Sequence, residues 1–255
     1  MVDINFYGEE INNLFFMGTG KFRDYNVMKK AIEEAKIEVV TVAMRRASYS
    51  NMNESILDYI NVKKIMVNTS GARNAEEALL IAKAGKELMK TDWVKIEIIN
   101  DTKYLMPDNQ ETIKACKLLT DNGFKVFPYM YPDIYDARKM IENGAEVLMP
   151  LGAPIGTNKG FTTKELVKIL LNEFDAKIII DAGIGKPSHV SEAMEIGCHA
   201  VLANTAVSIA DDPIKMVKAF SLAAQAGHLA YLSGIPEEND FAEASSPLFD
   251  YIGRD

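Results

Sequence analysis

The sequence predicts a (β/α)8 barrel, a TIM barrel of the α/β class, and three observations carry that prediction. Eight short apolar runs recur at intervals of roughly 20 to 30 residues, the repeat of one strand plus one helix. The runs are continuously apolar rather than alternating, which suits parallel strands covered on both faces. Helix-periodic stretches with recognisable ends fill the intervals. No Pro/Ser-rich linker divides the 255 residues, so a single barrel domain over 1–255 is expected, with 234–255 as a C-terminal tail. A doubly wound open sheet is the rival arrangement of the same alternation.

The runs fall at 14–17, 39–43, 65–67, 94–99, 126–128, 147–149, 178–180 and 200–203. Between them, Asn74 is placed to cap a helix, with Glu77 three residues on. Thr162 and Glu165 form a capping-box pattern. Asp212-Pro213 reads as an N-cap followed by proline at the first helical position. Gly85, Gly123, Gly144, Gly197 and Gly227 fall where helices would stop. The polar, acidic, proline-containing stretch from Gly234 to Asp255 reads as the tail.

Composition excludes several classes. The chain is 48% hydrophobic and 25% charged, an ordinary globular balance. It contains no apolar run near the ~20 residues of a membrane span. Met1-Val2-Asp3-Ile4-Asn5-Phe6 lacks a basic region followed by an apolar core, so no signal peptide is expected. With a net charge of −8 and no basic cluster, a nucleic-acid partner is not expected either. Cys116 and Cys198 lack metal-ligand spacing and read as reduced structural thiols of a cytoplasmic protein. His189, His199 and His228 are not spaced as ligands, so no metal site is expected, and no cofactor.

The fourth run breaks the apolar rule. In Trp93-Val94-Lys95-Ile96-Glu97-Ile98-Ile99, strand alternation puts Lys95 and Glu97 on one face with Trp93, opposite Val94, Ile96 and Ile98. With helices covering the apolar face, the lysine points into whatever the sheet encloses. A buried lysine is costly unless paired or neutralised. An amine beside a carboxylate is also the minimum needed for imine chemistry on a carbonyl substrate. A structural ion pair is the alternative for this segment.

In a barrel the site lies at the C-terminal ends of the strands. There the sequence concentrates Gly18-Thr19-Gly20-Lys21, Asn68-Thr69-Ser70-Gly71, Pro150 to Gly156, Asp181-Ala182-Gly183-Ile184-Gly185 and Asn204-Thr205. Barrels often bind phosphate on the seventh and eighth loops, where Ala182-Gly183 and Asn204-Thr205 would form a backbone cradle. The alternative for Gly183 and Gly185 is a tight turn alone. Asp181 is placed to act as an acid or base at the barrel mouth, or to cap the following turn. Lys21 could bind an anion, although a solvated surface lysine is the reading the sequence favours. No GxxxxGK[ST] or GxGxxG pattern is present, which disfavours a nucleotide.

Together these segments resemble thiazole synthase of thiamin biosynthesis. The likeness is carried by Gly18-Thr19-Gly20-Lys21-Phe22, Ala43-Met44-Arg45-Arg46, Asn68-Thr69-Ser70-Gly71-Ala72 and Trp93-Val94-Lys95-Ile96-Glu97. It continues through Met149-Pro150-Leu151-Gly152-Ala153-Pro154-Ile155-Gly156, Asp181 to Gly185, Pro187-Ser188-His189, Asn204-Thr205-Ala206 and Ser245-Ser246-Pro247. Tyr129-Met130-Tyr131-Pro132-Asp133 departs from the family's usual cysteine and paired acids, and Thr157 stands where serine is usual. The resemblance implies ring construction from 1-deoxy-D-xylulose 5-phosphate, dehydroglycine and the thiocarboxylate of a ubiquitin-like sulfur carrier protein. It makes Lys95 the Schiff-base lysine, Glu97 and Asp181 the acid–base groups, and Gly156, Ala182, Gly183, Asn204 and Thr205 the sugar-phosphate contacts. A dehydroglycine-supplying enzyme is the further partner implied, and a homo-oligomer, dimer or tetramer, is expected. Two rival readings stand beside it: an aldolase-type lysine Schiff-base enzyme on a sugar phosphate, and a non-catalytic barrel that binds a phosphorylated metabolite.

Overall fold

A computed structural model describes residues 4–44, 55–242 and 245. Of the segments carrying the resemblance, Arg45-Arg46 and Ser246-Pro247 lie outside the described residues. The chain opens with two short antiparallel strands, β1 (Ile4–Phe6) and β2 (Glu9–Ile11). Eight parallel strands then close into a barrel. They are β3 (Phe15–Gly18), β4 (Val39–Ala43), β5 (Lys64–Asn68), β6 (Trp93–Ile96), β7 (Lys125–Met130), β8 (Val147–Pro150), β9 (Lys177–Asp181) and β10 (Ala200–Ala203). Each of the eight apolar runs contributes one of these strands. The open doubly wound sheet is set aside by closure, because β10 pairs with β3 as well as β9.

The helices are α1 (Tyr25–Glu34), α2 (Ala75–Met89), α3 (Asn109–Asp121), α4 (Ile134–Glu142), α5 (Lys164–Glu173), α6 (Pro187–Glu195), α7 (Thr205–Ser208) and α8 (Pro213–Ser233), with a 3-10 turn at Ile56–Tyr59. Their ends follow local chemistry in most places. Asn74 caps α2 by accepting from Glu77 N, while the Glu77 carboxylate accepts from Arg73 N. Asp212 caps α8 ahead of proline at its start. Residues 234–242, after α8, carry no helix or strand and are exposed.

Three expectations about helix ends change. The Thr162–Glu165 capping box does not form. α5 begins at Lys164, and the Thr162 and Thr163 hydroxyls donate instead to the carbonyls of Gly152 and Leu151. Gly85 and Gly227 lie inside α2 and α8 rather than at their ends. Close packing explains both. A Cβ at Gly85 would sit 2.5 Å from Val67 Cγ1, and one at Gly227 would sit 2.6 Å from Ser191 O.

The β1–β2 hairpin had no counterpart in the sequence reading. Its turn, Tyr7-Gly8, holds both residues at positive φ, the geometry of a tight hairpin. The hairpin closes the N-terminal end of the barrel. Phe6 packs edge-on against Phe16 and Tyr7 against Phe127. The Tyr7 hydroxyl donates to Val126 O and accepts from Glu146 N, tying together the starts of β7 and β8. Lys64, at the start of β5, pairs with Glu9 at 2.7 Å. No helix among the described residues is long and apolar enough to cross a membrane.

Candidate active site

The C-terminal end of the barrel is open where the other end is plugged. Register sets what faces inward: Lys95 lies beside Asn68 on one side and Phe127 on the other, while Asp181 lies beside Leu202. Lys95 and Asp181 therefore meet inside the barrel, although β7 and β8 separate their strands. The Lys95 ammonium contacts Asp181 Oδ2 directly and stands 3.2 Å from Glu97 Oε2. The face of Tyr129 lies 5.1 Å below it. Lys95 is 4% exposed, Asp181 3% and Glu97 8%.

Glu97 is fixed by the end of β5. Asn68 Nδ2 donates to Glu97 Oε2 at 3.0 Å, and Asn68 Oδ1 accepts from Ser70 N. The Thr69 hydroxyl accepts from Glu97 N at 2.8 Å. Asn68, Thr69 and Ser70, at the end of β5, thus orient the carboxylate that follows β6.

Burial and charge then separate the two carboxylates. Burial raises Glu97, but adjacent Lys95 and the hydrogen bonds from Asn68 and Ser70 outweigh it and hold the group below the usual carboxylate range. Burial also raises Asp181; Lys95 opposes this only in part, and the net shift is upward. Lys95 is pulled down by burial and raised further by Asp181 and Glu97, a net upward shift that favours the ammonium. The competition left open by the sequence is decided for the charged amine. The two carboxylates are thus shifted in opposite directions, Glu97 down and Asp181 up.

The loops after β8, β9 and β10 face this triad across one cavity of about 240 Å³. All eight residues singled out for chemistry or phosphate binding line it: Lys95, Glu97, Gly156, Asp181, Ala182, Gly183, Asn204 and Thr205. The β8 and β9 loops are stitched together by Gly152 N to Asp181 O, Ala153 N to Ala182 O and Gly160 N to Gly183 O. Ala182 and Gly183 both hold positive φ. A Cβ on Gly183 would lie 2.4 Å from Ala153 Cβ, so this glycine permits loop–loop contact as well as a turn. Asn204, with its amide nitrogen facing the carbonyls, donates to Gly18 O at 3.0 Å and Gly20 O at 2.6 Å.

Lys21, read from sequence as a solvated lysine, lines the same cavity. Its Nζ donates to Thr205 Oγ1 at 3.1 Å. Asn68 and Ser70 also line the cavity; their signal was the run of small polar residues ending β5. The histidines lie outside it. His189 Nδ1 accepts from Gly185 N and His199 Nδ1 from Ile178 N, both structural bonds. His228 is buried on α8. Burial pushes both cysteine thiols well above their ordinary range. Among the described residues, no group of three His, Cys, Asp or Glu side chains is arranged to hold a metal.

Residues 5–247 match the family described as "Thiazole biosynthesis protein ThiG". A thiazole synthase of Clostridioides difficile (strain 630) is 49% identical over 248 residues, covering 97% of each chain. One from Heliobacterium modesticaldum is 51% identical over 247 residues, covering 96% of this chain and 97% of its own. Among solved structures, the BexX/CysO complex of Amycolatopsis orientalis aligns with a TM-score of 0.81 at 26% identity, over 93% of this chain and 98% of that one. A mandelate oxidase mutant aligns with a TM-score of 0.62 at 12% identity and shares the fold alone.

Proposed function

The chain belongs to the thiazole synthase family of thiamin biosynthesis, and from that premise we propose that it builds thiazole phosphate through an imine on Lys95. Family membership makes it an enzyme; substrates and residue roles are our reading. One observation carries it: a buried lysine held between two carboxylates of opposite pKa shift, in a cavity shared with a glycine-rich backbone cradle.

In this reading the phosphate of 1-deoxy-D-xylulose 5-phosphate sits on Gly156, Ala182-Gly183 and Asn204-Thr205. Lys95 gives its proton to water, and the neutral amine attacks the C2 carbonyl. Water leaves, giving the iminium. The Tyr129 face stabilises that cation as it does the ammonium. The iminium is an electron sink, so the C3 proton becomes acidic and a carboxylate removes it. Protonation at C2, as the C3 hydroxyl gives up its proton, leaves the carbonyl at C3 and a secondary amine linking C2 to Lys95. The thiocarboxylate sulfur of a ubiquitin-like carrier adds there and the carrier leaves as its carboxylate, keeping the oxygen lost from C3; the nitrogen of dehydroglycine displaces the Lys95 amine at C2, and loss of water closes the ring. Glu97, kept ionised by Asn68 and Ser70, holds the charge of Lys95 throughout.

The partners belong to the same proposal. The structural neighbour from Amycolatopsis was solved as a complex with CysO, which supports a carrier-protein partner; in this reading the carrier docks at the barrel mouth. A flexible carrier tail ending in Gly-Gly, at about 3.3 Å per residue, can enter a mouth too narrow for a folded domain. A second enzyme supplies the dehydroglycine. Exposed Leu222, Leu229 and Leu232 on α8 support a homo-oligomer, dimer or tetramer. Free, buried Cys116 and Cys198 fit action in the cytoplasm.

Mass spectrometry after incubation with the sugar phosphate and borohydride tests the core of this reading. One adduct is expected, on the Lys95 peptide, and none in Lys95→Ala. An adduct on another lysine would overturn it. A turnover assay with the carrier thiocarboxylate separates thiazole formation from an aldolase-type reaction, which would need no sulfur.

A further inference from the structure

We propose that Lys21 neutralises the substrate phosphate and thereby sets the preference for phosphorylated over free sugar; the inference rests on the phosphate cradle proposed above. Three observations lead to it. First, charge: the backbone cradle offers N–H groups but no full positive charge, while the protein carries −8 overall and two of the cavity's side chains are carboxylates. A phosphate dianion entering that field needs a cation. Two lysines line the cavity among the described residues, Lys21 and Lys95. Lys95 is held by Glu97 and Asp181 and loses its ammonium form to make the imine. Lys21 makes one polar contact among the described residues, to a neutral hydroxyl, so its charge is unspent.

Second, position: Lys21 Nζ lies 3.1 Å from Thr205 Oγ1. It is 4.0 Å from where a Cβ on Gly156 would stand. The ammonium therefore bridges the β8 and β10 sides of the cradle, where an anion resting on both would touch it.

Third, backbone: Lys21 holds φ at 67°, a conformation a lysine rarely adopts without support. The support is visible. The Asn204 amide grips Gly18 O and Gly20 O just before it. Thr19 donates through both N and Oγ1 to Thr41 O. A Cβ on Gly18 would stand 2.5 Å from Asn204 Cβ, so the β3 and β10 loops interlock. A loop that served only as a turn could place a glycine at position 21. This one holds a lysine in a costly conformation and aims its side chain at the cradle. Asn204 thus acts as a positioning residue, through the loop that carries Lys21.

The experiment compares half-saturation of borohydride trapping by 1-deoxy-D-xylulose 5-phosphate and by 1-deoxy-D-xylulose, with inorganic phosphate as competitor. Lys21→Met keeps a Cβ and hence the same backbone cost, so it isolates the charge. Its half-saturation for the phosphorylated sugar is expected to rise about 10- to 100-fold, the loss of one charge-assisted bond. The free sugar should change less than about threefold, and competition by inorganic phosphate should weaken in step. Lys21→Arg should retain most of the preference, because a guanidinium also binds phosphate. Should Lys21→Met fail to fold, Lys21→Gln is the second probe. A wild-type preference kept intact in Lys21→Met, an equal loss for both sugars, or collapse of Lys21→Arg to the Met level would overturn the role of Lys21. A wild-type enzyme that does not distinguish the two sugars would overturn the cradle reading itself.

Discussion

At one end of the barrel, Phe6 and Tyr7 of the hairpin lie against Phe16 and Phe127. At the other end, Asn68 of β5, Lys95 of β6, Asp181 of β9 and Asn204 after β10 surround an open cavity. The apolar end gains burial: Phe6 is fully enclosed. The polar end gives it up, sequestering a lysine and two carboxylates whose charged forms burial disfavours and mutual attraction supports. The difference separates two kinds of residue in one sheet. Those at the plugged end hold the molecule together, and those at the open end hold charge where a substrate can use it.

That division can be broken most directly by pairing a substitution from each end. Lys95→Arg is expected to lose imine formation to the detection limit while keeping the fold, since a guanidinium is not deprotonated to attack a carbonyl. Phe6→Ala should do the reverse, costing about 3–5 kcal/mol in denaturant unfolding with the folded fraction retaining wild-type KM. A Phe6→Ala protein with full stability, or with altered KM, would show that the hairpin is not a purely structural plug.

Within the open end, Asp181→Asn and Glu97→Gln sharpen the roles of the two acids. Both should still form the imine, with later steps slowed by about 10²–10⁴-fold. The pH dependence carries a sign. Asp181 raises the pKa of Lys95, so removing its charge lowers that pKa, and the rising limb of trapping should move to lower pH. Turnover within a few-fold of wild type for both variants would leave them as structural partners of Lys95.

Gly183→Val is expected to act at the seam between these regions. Its side chain would press on Ala153, shifting the β8 loop, so sugar-phosphate affinity should fall and the melting temperature should fall with it. Equal binding of phosphorylated and free sugar by both wild type and variant would remove the loops after β9 and β10 from the phosphate site.

The smallest effect belongs to His199, which bonds Ile178 N at the start of β9. Burial pulls its pKa from 6.5 down to about 4. The unfolded chain therefore binds a proton near pH 6.5 that the folded chain refuses. Stability is fully present above pH 6.5 and declines as pH falls toward 4, by at most about 3 kcal/mol. His199→Gln should flatten that stretch of the stability–pH curve without changing trapping at Lys95.

Most of the barrel was legible in the chain, for a physical reason. Strands buried on both faces cannot alternate, so each reads as a short apolar run, and each run sits where a strand forms. Lys95 and Glu97 stood out because they violate that rule inside one run. Polar loops at the strand ends were equally readable, because phosphate cradles and tight turns need small residues.

What stayed hidden depends on contacts between segments far apart in sequence. Tyr7-Gly8 lacks the usual hairpin dipeptide, so β1 and β2 were invisible until their aromatic side chains met the barrel. Gly85 and Gly227 read as helix ends, because only a neighbouring element pressed against the helix makes an internal glycine necessary. The sequence by itself determined which eight segments form strands, the strand ends that hold the chemistry, and the lysine that stands out there. Tertiary structure alone decided that Asp181 reaches Lys95, that Asn204 holds the loop of Lys21, and that the pKa of Glu97 falls while that of Asp181 rises. Pairing across a closed barrel and the loss of water around a charge are properties of the enclosed volume, which no local stretch of chain encodes.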